Sequence, residues 1–311
     1  MIDTHEVPVS GLIRGNYEHE LAALTVLLRS QALPLERLAA VVEQFGSVVT
    51  LQQVAHESQL APKFDATDIA AAIRTVQGWN VDGRDVRTVF DRTYPQNLSA
   101  IFNKPPLVFI KGRWLEERDS VSVAVVGTRK PSAEGLKRAQ NAARELAIAD
   151  ITVISGLAAG IDAAAHTAAL EAGGRTVAVM GTGVDRIFPP ENAALATRIV
   201  ESGGALISQF FPDQPPAQWS FPMRNVTMSG LSLATLIIEA GETSGARQQA
   251  RHALQHGRTV FVAAPVAHSH EWASRMVSEG VGGAHAIVIE SVEEVIDRIT
   301  GAYDSPVVAA G

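Results

Sequence analysis

No cysteine occurs among the 311 residues, which excludes disulfides and thiolate chemistry and fits the cytoplasm. An uninterrupted apolar run of about 18 residues, the length a membrane-spanning helix needs, is also missing. The opening Met1-Ile-Asp-Thr-His-Glu6 sets no basic region before an apolar stretch, so neither a secretory leader nor a membrane partner is expected. Positive charge is in short supply as well. A formal net charge of −7 argues against a protein that coats nucleic acid with its whole surface. The deficit is uneven: residues 121–265 carry 12 basic and 11 acidic side chains, whereas residues 266–311 carry 2 and 7. A polyanionic ligand would therefore have to use a local patch in the middle of the chain.

What is present reads as two kinds of architecture. To about residue 80 the chain is rich in Leu, Ala, Gln and Glu at helical spacing. Leu21, Leu24, Leu27 and Leu28 recur every three or four residues, as do Leu35, Leu38, Val41 and Val42, with Pro34 at a helix start and Gly46 at a helix end. This predicts a small helical domain over 1–80, structural or dimer-supporting. The glycine-bracketed turn of a helix-hairpin-helix module is absent. A connector over 81–120 contains the strand-like Leu107–Lys111. From 121 to 300, β-branched runs alternate with helical stretches, predicting strands near Val121–Val126, Ile151–Ser155, Thr176–Met180, Ala205–Ser208, Ala234–Glu239, Thr259–Ala263 and Ala286–Ile289. That alternation implies an α/β fold with a doubly wound, mostly parallel sheet, and residues 301–311 read as a flexible tail. Ligands of such sheets bind beyond the carboxyl ends of the strands.

Glycine loops stand at those ends. Val125-Val-Gly-Thr-Arg-Lys-Pro-Ser132 offers backbone donors, a hydroxyl and two cations where a helix begins, a fit for phosphate or for an ordinary strand-to-helix turn. It is neither a Walker A loop nor a dinucleotide GxGxxG pattern. Ser155-Gly-Leu-Ala-Ala-Gly160 permits close backbone approach. Asp162 and His166, four apart on one helix face, suit acid–base work or a structural pair in which the carboxylate fixes the imidazole tautomer. The structural pair is favoured, because no nucleophile or third metal ligand accompanies them. Phe188, after Gly181-Thr-Gly-Val-Asp185, can stack on a base or pack against Pro189-Pro190. Phe221-Pro-Met-Arg-Asn225 reads as a loop in which Arg224 meets phosphate or a carboxylate such as Glu239, and Arg247 and Arg251 form a basic stripe on a later helix. No catalytic residue and no metal site are expected.

These motifs, with Pro189-Pro-Glu-Asn192 and Gly230-Leu-Ser232, occur in an order and at spacings that resemble the DNA processing protein A (DprA/Smf) family from about Tyr94 to Pro265. The helical N-terminal part more weakly resembles that family's sterile-alpha-motif-like domain. The resemblance implies an extended Rossmann-like domain without a cofactor that binds single-stranded DNA, forms a homodimer and loads the RecA recombinase in natural transformation, with no chemistry on the strand. By position it assigns DNA contacts to Gly127, Arg129, Lys130 and Ser132, to Ser155, Gly156 and Gly160, and to Arg224 and Asn225.

Several positions depart from the family pattern: Gln209 stands in place of a Glu, Val226 in place of a cation, and Ala246 and Gln249 in place of hydroxyl residues, while Arg247 returns one cation. Pro265-Val266 replaces a Pro-Gly, and the family's frequent C-terminal winged-helix domain is not evident. A nucleotide-binding sensor on the same fold is the alternative function. A nucleotide phosphoribohydrolase is less favoured, since its Pro-Gly-Gly-x-Gly-Thr signature is missing.

Overall fold

The computed structural model describes residues 14–57 and 66–304, which divide into two compact units. The smaller ends at Tyr94 and takes in Pro105–Leu107; the larger comprises Pro95–Lys104 and the chain from Val108 onward. The opening segment read for a leader and residues 305–311 of the expected tail lie outside the described residues, while residues 301–304 continue a helix.

In the smaller unit four helices, α1 (Arg14–Ser30), α2 (Leu35–Phe45), α3 (Ser47–Glu57) and α4 (Ala66–Val81), precede a short strand, β1 (Asp85–Thr88). The leucine spacing works as read: Leu21, Leu24, Leu27, Leu38 and Val42 are buried. Pro34 starts α2 with its carbonyl accepting from Leu38 N, at no cost in donors because proline has none to lose. Gly46 ends it at φ +80°, its N–H donating to Val42 O. The Glu20 carboxylate accepts from the amides of Ser47 and Val48, so an internal anion sits at the positive end of α3.

The larger unit begins with α5 (Gln96–Ser99), β2 (Leu107–Gly112) and α6 (Glu116–Asp119). It continues through β3 (Ser122–Gly127), α7 (Ala133–Ile148), β4 (Thr152–Ser155), α8 (Ile161–Glu171), β5 (Thr176–Val179), α9 (Ala193–Glu201) and β6 (Ala205–Ser208). Next come α10 (Ser220–Leu231), β7 (Ala234–Glu239), α11 (Gly245–Gln255), β8 (Thr259–Ala263), α12 (Ala264–Ser269), α13 (Glu271–Ser278), β9 (Ile287–Ile289) and α14 (Glu293–Asp304). Each strand read from the sequence forms, with its ends moved by at most one residue. Their order is β2-β6-β5-β4-β3-β7-β8-β9, parallel throughout except for β2 against β6.

Buried on both faces, these strands are runs of Val, Ile, Leu and Ala without alternation, as a covered parallel sheet requires. One face packs on alanines: Ala139, Ala142 and Ala143 of α7 and Ala165, Ala168 and Ala169 of α8 share a cluster with Val123 and Val125. The same face continues over β5 and β6, where Ala178, Met180 and Leu206 pack against Leu195 and Ile199 of α9, beside Leu170 of α8. After β3 the winding goes to β4 on one side and resumes at β7 on the other. The carboxyl ends of β3 and β7 therefore flank the topological switch point, where the loops of a doubly wound sheet part to leave a crevice.

Candidate nucleic-acid interface

A cavity of about 450 Å³ opens at that switch point. Gly127, Arg129 and Lys130 after β3 form one wall, Thr243–Ala246 after β7 another, and Arg224 and Asn225 of α10 close it. A second cavity of about 190 Å³ shares Arg129, Phe221 and Arg224 with it and adds Gly156, Phe188 and Pro189.

The first loop does not offer α7 to a ligand. Ser132 caps the helix, accepting from Gly135 N at 2.9 Å, but its own N–H and hydroxyl donate to the two carboxylate oxygens of Glu239, at 2.9 and 2.6 Å. Glu239 thus occupies the anion position at the positive end of α7. A Cβ on Gly135 would stand 2.0 Å from Glu239 Oε2, so only glycine lets the carboxylate in. In place of the expected phosphate contact, both donors of Ser132 are spent inside the protein. Arg129 and Lys130 stay exposed, and the Arg129 guanidinium lies over the Phe221 ring, 5.3 Å from its centroid.

The second loop is filled in the same way. Asp162, in the first turn of α8, accepts from Gly156 N at 3.2 Å and from the Ala158 amide. Arg224, only 6% exposed, donates through Nη1 to the carbonyls of Gly156 (2.6 Å) and Val179 (2.8 Å) and through Nε to Asn225 Oδ1 (3.1 Å). Burial raises the Asp162 carboxyl, and the Arg224 charge holds it back. The carboxylate that balances Arg224 is therefore Asp162, and Glu239 serves Ser132. Moreover Phe221–Asn225, read as a loop, is the first turns of α10; Pro222 is tolerated there because first-turn amides have no partner inside the helix.

Asp162 and His166 are both buried on α8, yet each has its own partner. His166 Nδ1 lies 2.6 Å from Thr176 Oγ1, whose proton goes to Val153 O, so Nδ1 carries the hydrogen and a hydroxyl, not the carboxylate, sets the tautomer. Burial and the Arg224 charge push His166 down to about 3, and burial with His252 and Arg258 pushes the half-buried His256 to about 4. Unfolded, each histidine protonates near 6.5, so below that pH the unfolded chain binds protons that the folded chain refuses. Stability should fall with pH from about 6.5 toward 4, by up to about 1.4 kcal/mol per pH unit from His166, with a smaller share from His256. Asp162 and the more exposed Glu145, both raised by burial, oppose this over the range between their unfolded and folded values, while His252, lowered by burial, adds to it. The thermal midpoint is expected to be lower at pH 5 than at pH 7; a flat or rising profile would contradict the buried, neutral imidazole.

Of the remaining assigned residues, Ser155 is buried and donates to Val125 O at 2.7 Å, and Gly160 (φ +81°) lets α8 approach the first loop, since its Cβ would lie 2.5 Å from Thr128 O. Arg247 is exposed and donates to Glu242 O, and it lines neither cavity. The structure therefore brings Gly127, Arg129, Lys130, Gly156, Arg224 and Asn225 together and leaves Ser132, Ser155, Gly160 and Arg247 outside the cavities. Residues that sequence reading missed are Phe221, Thr243 and Ser244. The start of α11 is different from those of α7 and α8: its first turn has no acidic side chain, and Ser244 caps it by accepting from Ala246 N. Among the described residues no carboxylate cluster able to hold a metal ion and no helix long and apolar enough to cross a membrane is found.

The departures are built into packing. Gln209 Oε1 accepts from the Thr227 hydroxyl, and Val226 is half-buried in α10. Ala246 lines the larger cavity. With its amide oriented to satisfy both neighbours, the buried Gln249 donates to Asn225 O at 2.9 Å and accepts from Ser229 N, tying α10 to α11.

A family model described as DNA recombination-mediator protein A matches residues 85–300. Protein Smf of Escherichia coli (strain K12) is 37% identical over 211 residues, 66% of this chain and 54% of that protein. DNA processing protein DprA of Bacillus subtilis (strain 168) is 34% identical over 188 residues, 60% of this chain and 63% of that one. The chain thus spans about half the length of the first of these curated relatives and under two thirds of the other. The X-ray structure of DprA from Streptococcus pneumoniae superposes with a TM-score of 0.63 at 27% identity, covering 90% of this chain and 95% of that one. The fold is shared too by DprA from Helicobacter pylori, whose structure is described for its single-stranded DNA binding mode; there the TM-score is 0.60 at 23% identity, covering 70% of this chain and 96% of that one.

Proposed function

This chain belongs to the DNA recombination-mediator protein A family, and from that premise we propose that it binds single-stranded DNA along the crevice between β3 and β7. In this reading it acts in the cytoplasm as a homodimer that shields incoming DNA and loads RecA onto it during natural transformation. The strand is held and passed on unaltered. The family description supports the mediator role; dimer, RecA and compartment extend it.

One observation carries the DNA-binding part. Internal carboxylates occupy the starts of α7 and α8, so the positive potential left for a ligand is concentrated where Arg129 and Lys130 face the start of α11 across the larger cavity. That is a short electropositive channel with a wall of amides, bordered by the Phe221 and Phe188 rings, which lie 5.9 Å apart. Amides and cations track a phosphodiester backbone whatever its sequence, and aromatic rings accept any base.

Salt dependence is the test. If about three phosphates are neutralised, log K for an oligothymidylate should fall with log salt at a slope near −2, about 0.7 per contact. Fluorescence anisotropy of a labelled strand between 50 and 200 mM salt would measure it, in the range where such slopes are steep. A shallow slope, together with saturation by a single mononucleotide, would favour the nucleotide sensor instead.

A further inference from the structure

We propose that Trp219 is a stacking platform for a base outside the two cavities, extending the strand-binding path past the start of α10. The inference rests on the single-stranded DNA reading above.

The chain has four tryptophans, and three of them, Trp79, Trp114 and Trp272, are buried at 7%, 4% and 4% exposure. Trp219 is 53% exposed. Its indole is nevertheless held: the Phe210 ring, itself buried, meets it edge-on at 5.5 Å and 80°. The backbone beneath is fixed as well, because Ser220 donates its hydroxyl to Gly181 O and its N–H to Ala217 O. A large apolar ring kept in solvent on a rigid mount loses little entropy when a partner stacks on it.

Placement supplies the partner. Trp219 has helical dihedrals (φ −71°, ψ −25°) and is the residue before the first turn of α10. Pro222, three residues on, shares its face of the helix and lines the larger cavity, about 4.5 Å further along the axis. Phe221, between them, meets Arg129 and Phe188. A strand leaving the cavity over Pro222 thus encounters Trp219 next, with no cation needed there because stacking is indifferent to base identity.

The exposure pattern makes the test specific, since Trp219 is the tryptophan in solvent. Titration of the full chain with an oligothymidylate long enough to overrun the cavities should quench tryptophan emission in step with the anisotropy of the labelled strand. Trp219→Ala should weaken that strand about tenfold and leave a dinucleotide unaffected, while Trp219→Phe should recover most of the loss. Circular dichroism should show both variants folded, as expected for a surface ring. Normal anisotropy binding with unchanged emission, and equal affinities for Trp219→Ala and the parent chain, would overturn the platform and leave the strand-binding reading standing. No anisotropy change for any strand would overturn both.

Discussion

Replacing Gly156 with alanine is expected to lower the thermal midpoint by roughly 6–12 °C and to abolish strand binding. A Cβ at this position would lie 1.7 Å from Arg224 Nη1, 2.4 Å from Cζ and 2.6 Å from Nη2. Such overlap is relieved only by moving the guanidinium, and the guanidinium is tied down by its bonds to Gly156 O and Val179 O. Displacing it strands two carbonyls and removes the positive charge that balances the buried Asp162. Breaking a buried charge arrangement of this kind costs about 3–5 kcal/mol. At about 2–4 °C per kcal/mol for a domain of this size, the lower figure already gives the shift stated. Gly173→Ala is the control. Its φ of +72° carries the ordinary strain of a left-handed residue, about 1 kcal/mol, but its Cβ would meet nothing within 4 Å. If both variants melt alike, the clash with Arg224 is not what makes Gly156 necessary.

The same residue shows where sequence reading stops. Strands of the sheet were legible because each is a run of β-branched and small residues between glycine turns, a pattern set by local chemistry. The crevice was legible too, since loops at the carboxyl ends of a doubly wound sheet must face it. What fills each loop was not. Glu239 reaches Ser132 across 107 positions, and no spacing rule connects them. The one local trace was Gly135 in the first turn of a helix, an unexplained small residue that turns out to admit a carboxylate. Asp162 left a clearer sign, an acidic side chain in the first turn of α8, where the helix dipole favours it. The α10 start was misread as loop because Phe-Pro signals a break, although proline in a first helical turn is equally consistent with a beginning. The partnership of Arg129 with Phe221 lies between separate elements and could be seen only after folding.

That partnership sets the last expectation. Arg129→Ala should weaken single-stranded DNA binding tenfold or more, for every base composition, while lowering the thermal midpoint by no more than about 4 °C. The side chain is exposed, so its removal opens no cavity in the core. Two losses combine in binding. Removing one phosphate contact reduces the salt slope by about 0.7. Removing the planar cation over Phe221 forfeits about 0.5–1 kcal/mol of cation–π attraction that helps shape the wall between the two cavities. Arg129→Lys separates them: the charge returns and with it the salt slope, but an ammonium lacks the flat face that lies on the ring and the fork that grips a phosphate at two oxygens. Affinity should then recover only in part. Lys130→Ala, one position on, should change the slope by a similar amount without touching the ring. Were Arg129→Ala to bind as tightly as the parent chain at every salt concentration, the β3 loop would have no part in holding DNA, and the crevice would have to serve another anion.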